Sequence, residues 1–566
     1  MEIPEILARY DVLLANRKNV EFTWNRIDKY IMPLRLGDFF LTPQLETSIH
    51  WERDEIYDST AIVAAEDFAS NVHGALTPAT MRWYTAKWKD PRLNEDQESV
   101  EWMETSLDIL WDNLYESNFD SELTSALLDW SGPGTCDLFL EPENEVAPAN
   151  KHEWGGFNFS TKALRELFFE QDHRGRAGVI YIRLQWTPRQ ARSKFPHLSI
   201  EQLPKSLQTM IKDPGALDQR IEIVYCIFPR ESKRENLGKM DLAEDQRPFG
   251  SKYIIKASAE EIDTERGLYE LPGSVARYGK TSGSMWGYGI GTLMAPTAEY
   301  INNWMMYEDE EVRLQLQGNY LVNERGLMSN LDRRPGGMTL VRDVKTSVAP
   351  MPASGNVILS MKKLEELRAQ INAAFKKDAF QLPTQGPQMS AAEAQIRYYL
   401  IMRILGPPAA RLQQELLVPT LDRGLKLLYR NHQLPPIPAM VKKLGAAWKF
   451  EFWGPLMRAL QQDEAAVIER LIGSLGGASK VEGFQDMTKV VDPIRAGQAM
   501  AKRLGVPRSI LRSDVEIKQA QEAEQAQKQQ MQQAQIAEQT GKGMKAVAEG
   551  AQAHQQAGQP PPGAQQ

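Results

Sequence analysis

The chain has 566 residues, with 66 Lys and Arg against 74 Asp and Glu, a formal charge of −8, and it is 42% hydrophobic and 25% charged. That balance is globular. It excludes disorder as a description of the whole chain, and the mild acidity argues against a sequence-independent DNA binder, which is normally basic. Two cysteines, Cys136 and Cys226, cannot make a disulfide framework and point to a reducing compartment.

At roughly 150 residues per domain the length predicts three or four structural units. The start, MEIPEILARYDVLLANRK, carries acids early and lacks a continuous apolar run, so it does not read as a signal peptide. The charge-free stretch Thr281 to Ala298 is rich in Gly, Ser and Thr and would span a bilayer poorly. The expectation is a soluble, intracellular protein with no membrane partner.

In chain order, Asp58 or Ser59 is a competent N-cap, and Ile62, Ala65, Ala69, Val72 and Leu76 follow at steps of three and four on one helical face. Leu76-Thr77-Pro78 ends that helix, because a residue before proline is pushed out of the α region. Met103, Leu107, Leu110 and Leu114 mark a second helix, with Trp111 beside it. Trp83, Trp88, Trp102, Trp111 and Trp130 read as large hydrophobic packing. From about 135 the pattern changes. Val179–Leu184, Ile221–Phe228 and Tyr253–Ile255 are β-branched and aromatic runs bounded by Gly and Pro, which predicts strands. Pro229 to Arg234 is the locally basic loop leaving one of them.

A helix is expected from Pro296 to about Gln317, with Ile301, Trp304, Met305, Val312 and Leu316 apolar and Glu308-Asp309-Glu310-Glu311 in its middle. Another runs from about Met361 to Phe380, carrying Leu364, Leu367, Ile371, Ala374 and Phe375. The loop Leu382, Pro383, Thr384, Gln385, Gly386, Pro387, Gln388 and Met389 ends in a capping box, Ser390 with Glu393. After the break at Gly406-Pro407-Pro408, Leu417, Leu421, Leu425 and Leu428 form one more stripe. No Phe, Trp or Tyr follows Phe484. A second box, Ser513 with Glu516, opens a Gln/Ala/Glu-rich helix with a thin apolar seam. A helix that polar needs identical neighbours to be stable. Beyond Gly541 the composition is that of a disordered tail. The fold class is therefore mainly α with a smaller α/β insertion.

No catalytic constellation emerges. Gly273 to Thr281 imitates a P-loop but has five residues between its glycines and Ser274 where the first belongs. Gly287-x-Gly289-x-Gly291 misses the dinucleotide spacing and reads as a turn feeding the helix after Pro296. The seven histidines show no metal-binding spacing, and no CxxC occurs. Cys136 and Cys226 read as buried small hydrophobes. Neither a cofactor nor a metal is expected, and the prior moves toward a structural or assembly role. The rival is a soluble intracellular enzyme with a non-standard nucleotide site near Gly273–Thr281.

Several segments in order resemble the bacteriophage head-to-tail connecting proteins, the portal proteins of short-tailed phages. They are Trp24–Pro33, Asp58–Ala61, Gly74–Pro78, Ser117–Phe119, Gly134-Thr135, Trp286–Gly289, Ser390–Glu393, Gly406-Pro407, Glu415–Pro419 and Leu504–Pro507. The family's Gly-Arg-Gly turn is here Gly287-Tyr288-Gly289, so the arginine's role has no carrier. The resemblance implies a portal-type subunit in a ring of twelve, a channel for double-stranded DNA, and no enzymatic activity. It implies partners in the terminase large subunit, tail adaptor and tail tube proteins, and the major capsid and scaffolding proteins. The location implied is the portal vertex of the virion, after assembly in the host cytoplasm.

Mapped by that resemblance, residues 1–215 are the N-terminal wing, 216–290 a β-rich clip, 291–320 the stem helix and 321–379 the rest of the wing. The tunnel loop is 380–390, wing and crown helices are 391–513, the barrel helix is 514–540 and the tail is 541–566. Three sites follow as expectations. Glu308, Asp309, Glu310 and Glu311 contribute to an acidic channel wall. Leu382 to Met389 touches DNA by shape, with Lys376, Lys377 and Arg397 nearby. Arg230, Lys233, Arg234 and Lys239 help dock a motor or adaptor.

Overall fold

The computed structural model describes residues 1–33, 35, 56–143, 154–239, 242–317, 320–332, 338–350, 357–377, 405–445 and 447–452. They belong to two compact units. One is Met1–Lys89 with Trp102–Met457, and of the other the described part is Asp90–Glu101.

Helix α1 (Ile3–Tyr30) starts with Pro in its first turn, where the missing N–H costs nothing. It buries Ile6, Tyr10, Leu13, Arg17, Trp24 and Ile27, one continuous face at steps of three, four and seven. Helix α2 (Thr60–Leu76) begins where the sequence predicts. The Asp58 side chain, rather than that of Ser59, accepts from the Thr60 amide at 2.9 Å. Strand β1 (Tyr84–Trp88) follows, and then α3 (Pro91–Glu95), capped by Asp90. Next come α4 (Gln97–Glu116), α5 (Phe119–Ser131), β2 (Thr135–Pro142) and β3 (Phe157–Ser160). The tryptophans pack as expected: Trp83, Trp88, Trp102 and Trp130 are buried, and Trp111 is half-buried.

The β-rich region is a sheet with helices on both faces. Its strands are β4 (Leu167–Gln171), β5 (Ala177–Trp186), β6 (Ile221–Pro229), β7 (Phe249–Ile255) and β8 (Glu260–Glu261), antiparallel in that order, with β9 (Arg266–Leu268) also on β7. Alternation divides β6 between two cores. Val224, Cys226 and Phe228 meet Ile6, Tyr10 and Leu13 of α1, with Phe168, Val179 and Tyr181. Ile223 packs with Ala191, Phe195, Leu203 and Leu207 from α6 (Pro188–Lys194), α7 (Lys205–Lys212) and the segment joining them. Coverage of both faces explains why Ile221–Phe228 reads as an apolar run broken only by Glu222. Within the first core Arg17 is 2% exposed. It pairs with Glu21 at 2.8 Å, donates to the Leu164 and Arg165 carbonyls at 3.0 and 2.9 Å, and lies over the Phe168 ring. Burial pushes its pKa down to about 10, while Glu21 opposes the shift.

Strand β10 (Gly273–Arg277) leaves that sheet and pairs antiparallel with β2, which also pairs with β3. Two short strands, β11 (Gly279–Lys280) and β12 (Gly287–Tyr288), lead into helix α8 (Ile290–Gln317). Strands β13 (Tyr320–Val322) and β14 (Val348–Pro350) form a separate ribbon before α9 (Val357–Ala374). A π-helical turn at Gln413–Leu417 precedes α10 (Val418–Arg430), and α11 (Ala439–Leu444) is followed by β15 (Trp448–Phe452). Strand β15 pairs with β1, so residues about 360 positions apart form one ribbon, with Trp83 stacked on Phe452 and Trp88 edge-on to Trp448. The mixture of helices with sheets agrees with the expected class. No helix of the described residues is long and apolar enough to cross a membrane.

Candidate functional site

Helix α8 begins at Ile290, six residues before the expected start, and Pro296 lies inside it. The glycines explain the early start. A Cβ at Gly289 would stand 2.4 Å from the Ser131 and Gly132 carbonyl oxygens, and one at Gly291 would stand 2.7 Å from the Gly132 Cα. The Gly287–Gly291 run therefore lets the entry to α8 lie directly on the end of α5, a close backbone approach that only glycine permits. Thr292 donates its amide to the Gly132 carbonyl at 3.0 Å.

The helix buries Ile290, Ala295, Ala298, Ile301 and Asn302. Asn302 Oδ1 accepts from the Tyr57 amide at 2.7 Å, and Glu299 pairs with Arg26 of α1. Beside α8, Arg368 of α9 pairs with Asp58 at 2.7 Å. The opposite side shows Leu293, Tyr300 and Tyr307, seven residues apart and all exposed. Val312, expected in the apolar stripe, is exposed too; the helix has run beyond the elements that bury its first half. Glu308, Asp309 and Glu311 are half-exposed and Glu310 is exposed, with Asp309 pairing to Arg313 at 2.8 Å. The four acids follow one another around the helix past its buried part, each turned about 100° from the last.

The basic segment divides. Arg230 is half-buried and holds the sheet together: it pairs with Glu265 at 2.7 Å and donates to the Glu244 carbonyl at 2.9 Å. Its commitment inside the fold takes it out of an exposed docking patch. Lys233 donates to Gln246 Oε1 at 3.0 Å and Lys239 to Asn236 Oδ1 at 2.8 Å. Arg234 is exposed and makes no side-chain hydrogen bond or ion pair among the described residues. The segment Leu382 to Met389, both capping boxes and Arg397 lie outside the described residues. Lys377 pairs with Asp67 of α2 at 2.9 Å, and Lys376 has a positive φ of 57° just past α9.

The P-loop imitation at Gly273–Thr281 does not fold as a P-loop, in line with its failed spacing. Gly273–Arg277 is the strand β10, so its backbone serves the ladder with β2 instead of wrapping phosphate. Cys136 and Cys226 are fully buried in β2 and β6, and burial raises both thiol pKa values, so neither is an activated nucleophile. No metal-holding cluster of His, Cys, Asp or Glu occurs among the described residues.

The sequence profile of the bacteriophage head to tail connecting protein family matches residues 4–511. The chain belongs to that family. It is similar to a "Probable portal protein" of Bordetella phage BPP-1, 22% identical over 521 residues that cover 89% of this chain and 88% of that protein. It is also similar to a "Portal protein" of Salmonella phage epsilon15, 20% identical over 564 residues, 97% and 96% of the two chains. Near-complete coverage at such low identity means that this connector keeps the family's plan while most of its side chains differ.

Proposed function

We propose that this connector is the portal subunit of a phage. Twelve copies form a ring at one capsid vertex, through which double-stranded DNA is packaged and later ejected. The ring sits in the virion after assembly in the host cytoplasm, among major capsid and scaffolding proteins. It serves first as platform for the terminase large subunit and then for tail adaptor and tube proteins. The family match over residues 4–511 carries the reading.

Two exposed apolar surfaces support the assembly. Leu293, Tyr300 and Tyr307 line one side of α8, the stretch proposed as stem. The ribbon of β13 and β14, with the segment between, exposes Leu321, Met328, Met338, Leu340 and Val344, Met338 to 91%. A two-stranded ribbon is marginal alone, and exposed apolar surface on this scale belongs at an interface; neighbouring copies supply the cover. The remaining layers follow the boundaries given above: wing 1–215 and 321–379, clip 216–290, tunnel loop 380–390, wing and crown helices 391–513 and barrel helix 514–540.

Charge supports the conduit. Phosphate contacts by Lys and Arg dominate DNA affinity, so a channel in which DNA slides cannot be broadly basic. Twelve copies at −8 carry about −96, a field screened over roughly 8 Å at physiological salt. Glu308, Asp309, Glu310 and Glu311 are proposed to face the channel, and Arg234 with Lys233 and Lys239 to meet the motor or adaptor. Twelve copies of the 64.1 kDa chain weigh about 770 kDa, which native mass spectrometry and negative-stain imaging detect. A chain that stays monomeric at every concentration tested refutes the ring, and Leu293→Asp with Tyr300→Asp should shift rings to smaller species.

A further inference from the structure

A cavity of about 380 Å³ lies where the β4–β5 turn, strand β10, the segment before α10 and the loop at 237–239 converge. Its lining includes seven cations, Arg174, Arg176, Lys239, Lys280, Arg277, Arg423 and Lys426, against three carboxylates, Glu270, Glu415 and Asp422. The difference is +4. They come from four separate stretches of sequence, at 174–176, 239, 277–280 and 423–426, which the fold brings together.

The carboxylates are already committed to individual cations. Glu415 accepts from Arg277 Nη2 and Nε at 3.1 and 3.3 Å, Asp422 pairs with Lys426 at 2.6 Å, and Glu270 takes both Arg423 and, from outside the lining, Arg430. Arg176 and Lys280, both exposed at the rim, have no ion pair or side-chain hydrogen bond among the described residues. At the floor Arg277 is 1% exposed, and its Nη1 is buried with no hydrogen-bond partner. An unsatisfied buried donor on a charged group is costly, and native structures leave few of them. Gly175, with φ of +73°, opens the space from which Lys280 reaches in: a Cβ there would stand 2.3 Å from Lys280 Nζ.

We propose that this cavity binds a small oligophosphate anion through its side chains. The volume suits a small molecule and is far too small for a DNA duplex. Guanidinium forks and ammonium groups are the donors suited to phosphate oxygens, and an excess of four positive charges is balanced by a compact multivalent anion, not by a single carboxylate. Of the two aromatic side chains in the lining, Phe249 and Tyr269, the Tyr269 ring already receives the guanidiniums of Arg247 and Arg430 at 4.6 Å each; the phosphate chain is the part that the cations recognise. No chemistry is performed on the ligand; it bridges the β4–β5 turn, β10 and the helix that ends in α10. This inference stands apart from the portal reading, since a ring can form with or without it.

The test is isothermal titration calorimetry of the full chain with inorganic tripolyphosphate. One site per subunit is expected, weakened at least tenfold in Arg176→Ala/Lys280→Ala, whose side chains are exposed and leave the core intact. Lys18→Ala, an exposed cation of α1 outside the cavity, should bind as the unaltered chain does. No binding overturns the proposal, as does equal weakening by Lys18→Ala, which marks non-specific attraction. Citrate binding as tightly as tripolyphosphate overturns the phosphate assignment. A duplex oligonucleotide that competes for the same site overturns the small-ligand assignment.

Discussion

The pair Arg277 and Glu415 offers a quantitative test of how this discontinuous chain is fastened. Glu415 sits in the π-helical turn ahead of α10 and Arg277 ends β10, 138 residues earlier. Glu415 accepts three donations from Arg277: the backbone amide at 3.1 Å, Nε at 3.3 Å and Nη2 at 3.1 Å, while Nη2 also reaches the Gly175 carbonyl at 2.7 Å. Glu415→Leu strands a buried guanidinium and an amide, and breaking a buried pair in this way costs about 3–5 kcal/mol. Arg277→Met leaves a carboxylate that is 20% exposed and still holds the 277 amide, so about 2–3 kcal/mol is expected. The double variant removes both charges at once and should cost less than Glu415→Leu alone, because replacing a buried pair by apolar groups is often nearly neutral. Urea unfolding followed by tryptophan fluorescence measures all four corners of the cycle. Additive losses, or a Glu415→Leu cost under about 1 kcal/mol, would refute the view that this pair is a desolvated unit.

Asp129 is fully buried, and burial raises its pKa to about 6 although Arg35, at 2.7 Å, pulls the other way. A folded-state pKa above the unfolded value of 3.8 means that the native state binds the extra proton between those limits. Stability therefore falls as pH rises from about 4 to 6, by up to about 3 kcal/mol. Asp129→Asn should lose this slope, and an unchanged slope in urea titrations at stepped pH counts against the assignment. Arg423 donates from Nε to the Leu140 carbonyl at 2.8 Å inside the core. Arg423→Ala should destabilise by about 3–5 kcal/mol by leaving that carbonyl and part of Glu270 unsatisfied, where a loss below 1 kcal/mol would show that water replaces it. Deleting Thr384 to Gln388 should leave rings intact but impair packaging or retention of the genome; an undiminished yield of DNA-filled heads contradicts the tunnel-loop role. Neutralising Glu308, Asp309, Glu310 and Glu311 together should slow DNA passage and raise DNA retention by isolated rings at low salt, and unchanged retention places those acids off the channel.

The local patterns were legible because they need only neighbours in sequence. The α2 stripe, the strands at 179–184 and 221–228 and the buried tryptophans all come from periodicity and side-chain type, which the backbone imposes directly. The start of α8 was not legible: whether Gly287–Gly291 forms a turn or the entry to a helix depends on the end of α5 lying against it. Arg230 read as a surface cation because its acceptors, Glu265 and the Glu244 carbonyl, lie 35 and 14 residues away. The cationic cavity left only two faint traces, Arg174-Gly-Arg176 and Gly279-Lys280.

By itself the sequence determined that the chain is mildly acidic, poor in cysteine, rich in helix with a β-rich middle, and built on the connector family's order of segments. These are sums and short-range periodicities, which do not change when the chain folds; the ribbons β1–β15 and β13–β14 came only with the fold. Only the tertiary structure decided which charges are spent inside the molecule and which stay available. Arg230 and Arg423 are consumed by carboxylates and carbonyls brought from distant segments, Arg277 keeps its Nη1 unpaired, and Arg176, Arg234 and Lys280 remain outside. A charge's partner is a matter of distance in space. The sequence contains that distance only through the whole fold.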